Sequence, residues 1–365
     1  MSTSARICIA CGGTGGHLFP GLAVAEELRR SGHQVRLYVS NKEIDRRALA
    51  AYPEFERVAL PVLGWPGLGP RTPSFFVAFW KAYRQSVAEL REYTPDAVLG
   101  MGGFTSAPIL LAASRRRIPT LLHESNAIPG KVTRWMASRS TRVLLGFSEC
   151  AAHLEASVLK VTGTPVRSTL KVMDRREAAA EWGLDPDRFT IAVMGGSQGA
   201  AGLNRLVARA AAEWKNLSDK IQIIHLAGPQ DVNLLHYNYQ RDGIRAEVRD
   251  FCDRMETVYS LADAVVARSG ASSLTELAFY RLPSFLVPYP HAAEDHQTRN
   301  AQAYAKGGAA RVARENDEGS SALARWIREL MEEPGRREVM ASAAGKFQTG
   351  GAAARVAREV EDALF

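Results

Sequence analysis

The sequence predicts an α/β protein made of two doubly wound domains, each a parallel sheet covered by helices. Three observations carry this. Short apolar runs rich in Val, Ile and Leu recur at 6–10, 34–39, 57–60, 97–100, 120–123 and 142–146. They recur again at 190–194, 221–227, 247–251, 264–267 and 285–287, with helix-length segments between them. A run that is apolar throughout is buried on both faces, the condition of a strand inside a parallel sheet. The pattern also restarts. Strand, glycine loop and helix follow one another in ICIACGGTGGHLFPGLAVAEEL from Ile7 and again in TIAVMGGSQGAAGLNRLVARA from Thr190. Finally, a chain of 365 residues holds two domains at roughly 150 residues each.

The first glycine loop, Gly12-Gly13-Thr14-Gly15-Gly16-His17, opens a helix whose Leu22, Ala25 and Leu28 recur at helical spacing. Glycines let the backbone approach an anion, and a helix N-terminus offers N–H groups and a positive dipole end. A bare turn needs fewer glycines, so Thr14, Gly15 and Gly16 are read as an anion site. The second strand ends Tyr38-Val39-Ser40-Asn41 without the carboxylate that reads ribose in nicotinamide enzymes, which disfavours a dehydrogenase. His17 stands at the carboxyl end of the first strand, where open α/β sheets bind ligands. It is read as a general base or as an anion-contacting residue, and the sequence leaves the two open. The segments Met101-Gly102-Gly103-Phe104-Thr105-Ser106 and His123-Glu124-Ser125-Asn126 also follow strands and belong on the same edge. Glu124 and Asn126 either contact sugar hydroxyls, with Glu124 as an alternative base, or cap loops.

Gly and Pro interrupt the pattern at 163–168 (GTPVRS), which divides the chain into domains 1–165 and 166–349. In the second domain, Gly195-Gly196-Ser197-Gln198-Gly199-Ala200 has the same physical logic and is the better diphosphate candidate. Arg268-Ser269-Gly270-Ala271-Ser272-Ser273 is a small-residue turn feeding a helix that carries Glu276. Glu276 either grips ribose hydroxyls or is a solvated helix charge. The polar stretch 288–300 offers Glu294, Asp295, His296, Gln297 and Asn300 to sugar hydroxyls. The spacing of His291, Asp295 and His296 matches no strong ligand pattern, so no metal is expected. The final segment, 350–365, places Ala353, Val356, Val360 and Leu364 on one helical face. The residues alone leave open whether that helix caps its own domain or crosses back to the first.

Composition excludes several classes. With 46% hydrophobic and 8% aromatic residues the chain is neither disordered nor collagen-like. No apolar run reaches the roughly 18 residues of a membrane span, and the N-terminus lacks the apolar region of a secretion signal. Cys8, Cys11, Cys150 and Cys252 are read as reduced packing residues, since Cys8 of the C-x-x-C lies inside a strand. The net charge of +7 is lopsided: residues 1–165 carry 20 Lys/Arg against 12 Asp/Glu, and 166–365 carry 26 against 27. The first domain is therefore expected to meet an anionic partner. Residues 75–84 (FFVAFWKAYR) and Arg115-Arg116-Arg117 combine aromatics with cations, which points to an anionic membrane surface; no nucleic-acid-binding motif is present.

The stretches GGTGGHLFPGLAVAEEL, GMGGFTSAP, LLHESNAIPGKV, VTGTPVR, MGGSQGA, RSGASSLTEL and DHQTRNA run in order from Gly12 to Ala301. In that combination the sequence resembles the MurG family of bacterial peptidoglycan glycosyltransferases. The resemblance implies a GT-B fold: two Rossmann-like domains separated by a deep cleft, with the last helix returning to the first domain. It implies inverting transfer of N-acetylglucosamine from UDP-N-acetylglucosamine to undecaprenyl-pyrophosphoryl-N-acetylmuramyl-pentapeptide, at the muramyl 4-hydroxyl. It also implies a peripheral protein on the cytoplasmic face of the inner membrane, with no separate cofactor. By resemblance, Arg167, Ser197 and Ser273 lie at the UDP diphosphate or its surroundings. Phe251, Met255 and Arg268 line the uracil pocket, Glu276 binds ribose, and His296, Gln297 and Asn300 bind the donor sugar. Thr14, His17, Phe104, Glu124 and Asn126 fall on the acceptor side. Two positions depart from the family: Thr164 stands where Asn is frequent, and His296 where some members have Gln. The competing readings are a UDP-sugar epimerase on the same scaffold and a non-enzymatic nucleotide-sugar-binding scaffold at the membrane.

Overall fold

The computed structural model describes residues 4–196, 199–347 and 350–364. It divides into two compact units, Met1–Ser168 with Thr349–Phe365, and Thr169–Gln348. The division falls just beyond the expected residue 165, so Arg167 belongs to unit 1.

Unit 1 runs β1 (Arg6–Ala10), α1 (Gly15–Arg30), β2 (Gln34–Ser40), α2 (Glu43–Leu49), β3 (Glu56–Leu60), α3 (Thr72–Tyr93), β4 (Ala97–Gly100), α4 (Gly103–Arg115), β5 (Thr120–Glu124), α5 (Lys131–Met136), β6 (Arg142–Leu145) and β7 (Leu159–Val161). The strands form one parallel sheet in the order β3-β2-β1-β4-β5-β6-β7. Successive side chains of a strand point to opposite faces. Ile7 and Ile9 of β1 accordingly join a core with Leu22, Leu28 and Leu99. Cys8 and Ala10 join a second core with Val98, Ile109 and Leu122. Two covered faces are why the central strands carry uninterrupted apolar runs.

Unit 2 runs α6 (Arg175–Trp182), β8 (Phe189–Met194), α7 (Ala201–Ala212), β9 (Ile221–Leu226), α8 (Val232–Arg241), β10 (Arg245–Arg249), α9 (Met255–Leu261), β11 (Ala264–Ala267), α10 (Ala271–Phe279), β12 (Ser284–Leu286), α11 (His296–Lys306), β13 (Ala310–Val312), α12 (Asp317–Glu332) and α13 (Pro334–Gly345). Its parallel sheet has the order β10-β9-β8-β11-β12-β13. Helix α6 is capped by Asp174, which accepts from the N–H groups of Arg176 and Glu177, and it ends at left-handed Gly183. The core centres on buried Trp214, Phe285 and Trp326, the last two with ring centres 5.5 Å apart.

The chain then returns to unit 1 through α14 (Ala352–Glu361). Val356, Ala357 and Val360 enter the core that holds Ile7 and Leu28. Arg142 of β6 donates to the Glu359 carboxylate at 2.5 Å and to the Asp362 carbonyl at 3.0 Å. Apolar burial and these polar ties fix the helix to the first unit.

The three-residue strands β7 and β13 escaped the sequence reading. Both lie at sheet edges and are only partly buried, so they lack an apolar run. Strand β10 ends at Arg249, which places Phe251 in the loop beyond it. Cys8, Cys11 and Cys150 are buried, and burial pushes the thiols of Cys8 and Cys150 up to about 12. Thiols held protonated in this way are packing groups. Among the described residues, no helix is long and apolar enough to cross a membrane.

In each sheet the chain winds outward from a central strand and then resumes on its other side. The change of direction falls between β1 and β4 in unit 1 and between β8 and β11 in unit 2. Loops at the carboxyl ends of such strand pairs diverge and leave a ligand-binding crevice.

Candidate functional site

In unit 1 the switch point gathers the two expected glycine loops. Thr14 is exposed and precedes α1 without a side-chain cap. Gly15 and Gly16 form the first turn of α1, with His17 next. The His17 ring lies against the second loop. A Cβ on Gly103 would come within 3.0 Å of the imidazole Nε2, and Gly103 has φ +69°, so glycine is required there twice over. Half-buried Phe104 stands beside it, with its ring edge-on to Phe75 at 5.5 Å.

A carboxylate that the sequence reading missed braces this loop. Asp45 on α2 is fully buried, and its Oδ2 accepts from Gly13 N at 2.8 Å, Ser40 N at 3.1 Å and Ser40 Oγ at 2.5 Å. The Lys42 ammonium donates to the Gly13 carbonyl at 2.8 Å. In the sequence Asp45 sits among Glu43, Arg46 and Arg47 and reads as one more solvated helix charge.

Glu124, at the end of β5, is buried and accepts four hydrogen bonds. Its Oε1 takes Asn126 N at 3.0 Å and Asn126 Nδ2 at 2.8 Å. Its Oε2 takes Gly130 N at 3.0 Å and Thr133 Oγ1 at 2.5 Å. Both oxygens thus clamp the loop from 124 to 133. Of the readings offered for Glu124, loop capping accounts for these four contacts. Asn126 is part of the same clamp. Neighbouring His123 is buried, with Nε2 3.0 Å from the Gly163 carbonyl, and burial holds its imidazole below the ordinary range. Arg167 carries its guanidinium 4.6 Å from the centre of the Phe19 ring on α1.

In unit 2, Ser197 and Gln198 lie outside the described residues. Gly199 has φ +73°, and a Cβ there would come 2.5 Å from the Ala227 carbonyl. At the β11 end, Arg268 is buried and donates to the Val287 carbonyl at 2.9 Å, the Pro288 carbonyl at 3.2 Å and the Glu315 carboxylate. Its guanidinium therefore holds the loop after β12, a bracing role. Ser273 and Glu276 lie on α10, and Glu276 Oε2 accepts from the Tyr259 hydroxyl at 2.7 Å. Phe251 is 52% exposed, and Met255 opens α9. His296 and Gln297 form the first turn of α11, after Glu294 and Asp295, which both adopt left-handed φ near 55°. Two consecutive non-glycine residues in that region are a strained feature characteristic of ligand sites. Gln297 Oε1 accepts from Tyr289 N at 2.9 Å, and buried Asn300 donates to the Ser269 carbonyl at 3.2 Å, tying α11 to the turn before α10.

Beneath the glycine loop lies a buried polar chain. Asn204 Nδ2 donates to the Ala227 carbonyl at 2.9 Å and to Asp231 Oδ2 at 2.8 Å. Asn204 Oδ1 must then accept from His225 Nε2 at 3.0 Å, which leaves His225 Nδ1 to accept from the Tyr239 hydroxyl at 2.7 Å. This neutral imidazole is satisfied at both nitrogens, and burial lowers its pKa to about 3. The unfolded histidine binds a proton below about pH 6.5 while the folded one does not. Stability from this group is therefore complete above about 6.5 and lost as pH falls towards 3, at about 1.4 kcal/mol per pH unit. Urea unfolding at pH 6.5 and 4.5 should show this slope, and His225→Gln should remove it; an unchanged slope would reject His225 as its source.

The outer surface of unit 1 is aromatic and basic. Phe76 and Trp80 on α3 are 58% and 55% exposed, and Leu68 is 92% exposed. Trp80 stacks on Tyr83 at 5.2 Å, and the Arg115 guanidinium donates to the Tyr83 hydroxyl at 3.0 Å. Lys81, Arg84, Arg116 and Arg117 are exposed.

Each of the two nucleotide-fold units carries a glycine loop at its switch point, and both units match a glycosyltransferase family. Residues 7–145 match the glycosyltransferase family 28 N-terminal domain, and residues 190–356 match the family 28 C-terminal domain. Over 342 residues the chain is 36% identical to the UDP-N-acetylglucosamine–N-acetylmuramyl-(pentapeptide) pyrophosphoryl-undecaprenol N-acetylglucosamine transferase of Geobacter metallireducens, covering 93% of both chains. The chain belongs to that transferase family. The crystal structure of Acinetobacter baumannii MurG matches 99% of this chain and 100% of its own, at TM-score 0.76 and 27% identity. A putative UDP-N-acetylglucosamine 2-epimerase from Listeria monocytogenes shares the fold at TM-score 0.71 but only 12% identity, covering 97% of this chain and 95% of its own.

Proposed function

We propose that this chain is an inverting transferase that moves N-acetylglucosamine from UDP-N-acetylglucosamine to the muramyl 4-hydroxyl of undecaprenyl-pyrophosphoryl-N-acetylmuramyl-pentapeptide. The observation that carries this reading is that each unit gathers glycine-rich loops at the switch point of its sheet, where they open helices. Transfer between two phosphorylated substrates has a use for an anion site in each unit. The names of the relatives supply the two substrates.

In this reading unit 2 holds the donor. Exposed Phe251 and half-buried Met255 offer apolar faces to uracil, and Glu276 takes the ribose hydroxyls. The glycine loop and the α10 N-terminus with Ser273 meet the diphosphate, and His296 and Gln297 meet the sugar. Unit 1 holds the acceptor at the N-termini of α1 and α4. The acceptor oxygen forms a bond to the anomeric carbon as the bond from that carbon to UDP breaks. The electron pair leaves with the diphosphate, and His17 takes the hydroxyl proton. Fixed N–H groups and helix dipoles stabilise the charge that develops on the leaving group. UDP-N-acetylglucosamine is a substrate, and no separate cofactor is proposed.

The reading extends to peripheral attachment at an anionic membrane. Exposed Phe76, Trp80 and Leu68 beside Lys81 and the Arg115-Arg116-Arg117 cluster support it. One experiment tests both parts. Anionic vesicles carrying the lipid acceptor and labelled UDP-N-acetylglucosamine should yield labelled lipid, with salt-sensitive binding of the protein. Neutralising Lys81, Arg115, Arg116 and Arg117 with Gln should weaken vesicle binding. Unchanged binding would reject the membrane surface, and absence of label in lipid would reject the transfer.

A further inference from the structure

We propose that Tyr259 is a positioning residue for the nucleotide: its hydroxyl holds the Glu276 carboxylate in the orientation that grips ribose. The proposal rests on the reading of Glu276 as the ribose contact. The Tyr259 hydroxyl donates to Glu276 Oε2 at 2.7 Å. An ionised carboxylate only accepts, and a phenol is a good donor to it, so the bond is charge-assisted.

The donor is itself held in place. Tyr259 is 2% exposed, and its ring packs against Tyr280 with centres 5.0 Å apart. The Tyr280 hydroxyl donates to the Lys171 carbonyl at 2.8 Å. Helix α9, which carries Tyr259, is pinned by the Trp182 indole donating to Thr257 Oγ1 at 2.9 Å. A glutamate side chain has several rotatable bonds, and ordering it on ligand binding weakens the complex. A buried, packed tyrosine that fixes one oxygen does that ordering beforehand. Met255 and Tyr259 are four residues apart on α9 and so share a helix face. One short helix thereby carries a wall for the base and the anchor for the ribose reader.

The test compares UDP with its 2′,3′-dideoxyribose analogue by calorimetric titration of the full-length protein, its Tyr259→Phe variant and its Glu276→Ala variant. Phenylalanine keeps the ring stack and removes only the hydroxyl. Both ligands are measured on the same protein, so any loss of folded fraction cancels in their affinity ratio. The unsubstituted protein should prefer UDP by about tenfold or more, a preference set by hydrogen bonds to a charged group. Glu276→Ala should abolish that preference. Tyr259→Phe should reduce it by about three- to tenfold while leaving affinity for the dideoxy analogue unchanged. An undiminished preference in Tyr259→Phe, with the preference lost in Glu276→Ala, would overturn the role of Tyr259 and leave the ribose reading standing. A full preference retained in Glu276→Ala would overturn the ribose reading and the proposal with it.

Discussion

Replacing His17 with Ala should lower kcat by about 10²- to 10⁴-fold, the contribution of a positioned general base. Affinity for UDP should stay within about twofold, because the groups proposed to hold the nucleotide, Arg167 apart, lie in unit 2. The effect follows from how His17 is held. Its ring sits over the Gly102-Gly103 turn at the carboxyl end of β4, where an added Cβ would strike it. The glycine loop that carries it is fixed by buried Asp45. Alanine removes the proton acceptor without filling that space. Steady-state kinetics with both substrates varied, alongside calorimetric binding of UDP, separate the alternatives. A loss confined to donor or acceptor affinity, with kcat intact, would make His17 an anion contact and place the proton elsewhere.

Glu124→Gln should act mainly on stability, lowering it by about 1–3 kcal/mol, the usual consequence of depriving buried donors of an acceptor. The substitution keeps the shape, but an amide has only one accepting oxygen. Turned one way, its NH₂ faces the Asn126 N–H and side-chain amide; turned the other, it faces the Gly130 N–H and the Thr133 hydroxyl. At least one backbone N–H loses its partner. For a domain of this size the melting midpoint should fall by roughly 2–4 °C per kcal/mol. Turnover of the folded fraction should survive. Thermal melting together with kcat corrected for folded fraction distinguishes this outcome from catalysis: an unchanged midpoint with a large drop in kcat would make Glu124 the base.

The sheet interiors were legible because burial on both faces writes itself as uninterrupted Val, Ile and Leu. Residues 6–10 and 264–267 match β1 and β11 end to end. Edge strands β7 and β13 are short, half-exposed and polar enough to pass for loop. Glycine loops announced both switch points, since few other uses gather so many glycines after a strand. What the residues could not show is which polar groups look inward. Asp45 and Glu276 are both acidic residues within helices, yet one is fully buried under a loop and the other is half-buried against Tyr259. The resemblance puts Arg268 at the uracil pocket, and its guanidinium binds two carbonyls and Glu315. The resemblance located such residues in chain order, and only the packing distinguishes a group that faces a substrate from one that holds its neighbour.

Acceptor-dependent release of UDP is the most direct test of the account. The full-length protein is incubated with UDP-N-acetylglucosamine, with and without the polyprenyl-pyrophosphoryl-muramyl-pentapeptide, and the products are followed by NMR. One UDP should be released per acceptor consumed, with a β linkage at the muramyl 4-oxygen reflecting inversion, and the donor should stay unaltered when acceptor is absent. Isomerisation of the donor without acceptor, or tight UDP binding with no product in either mixture, would contradict the account.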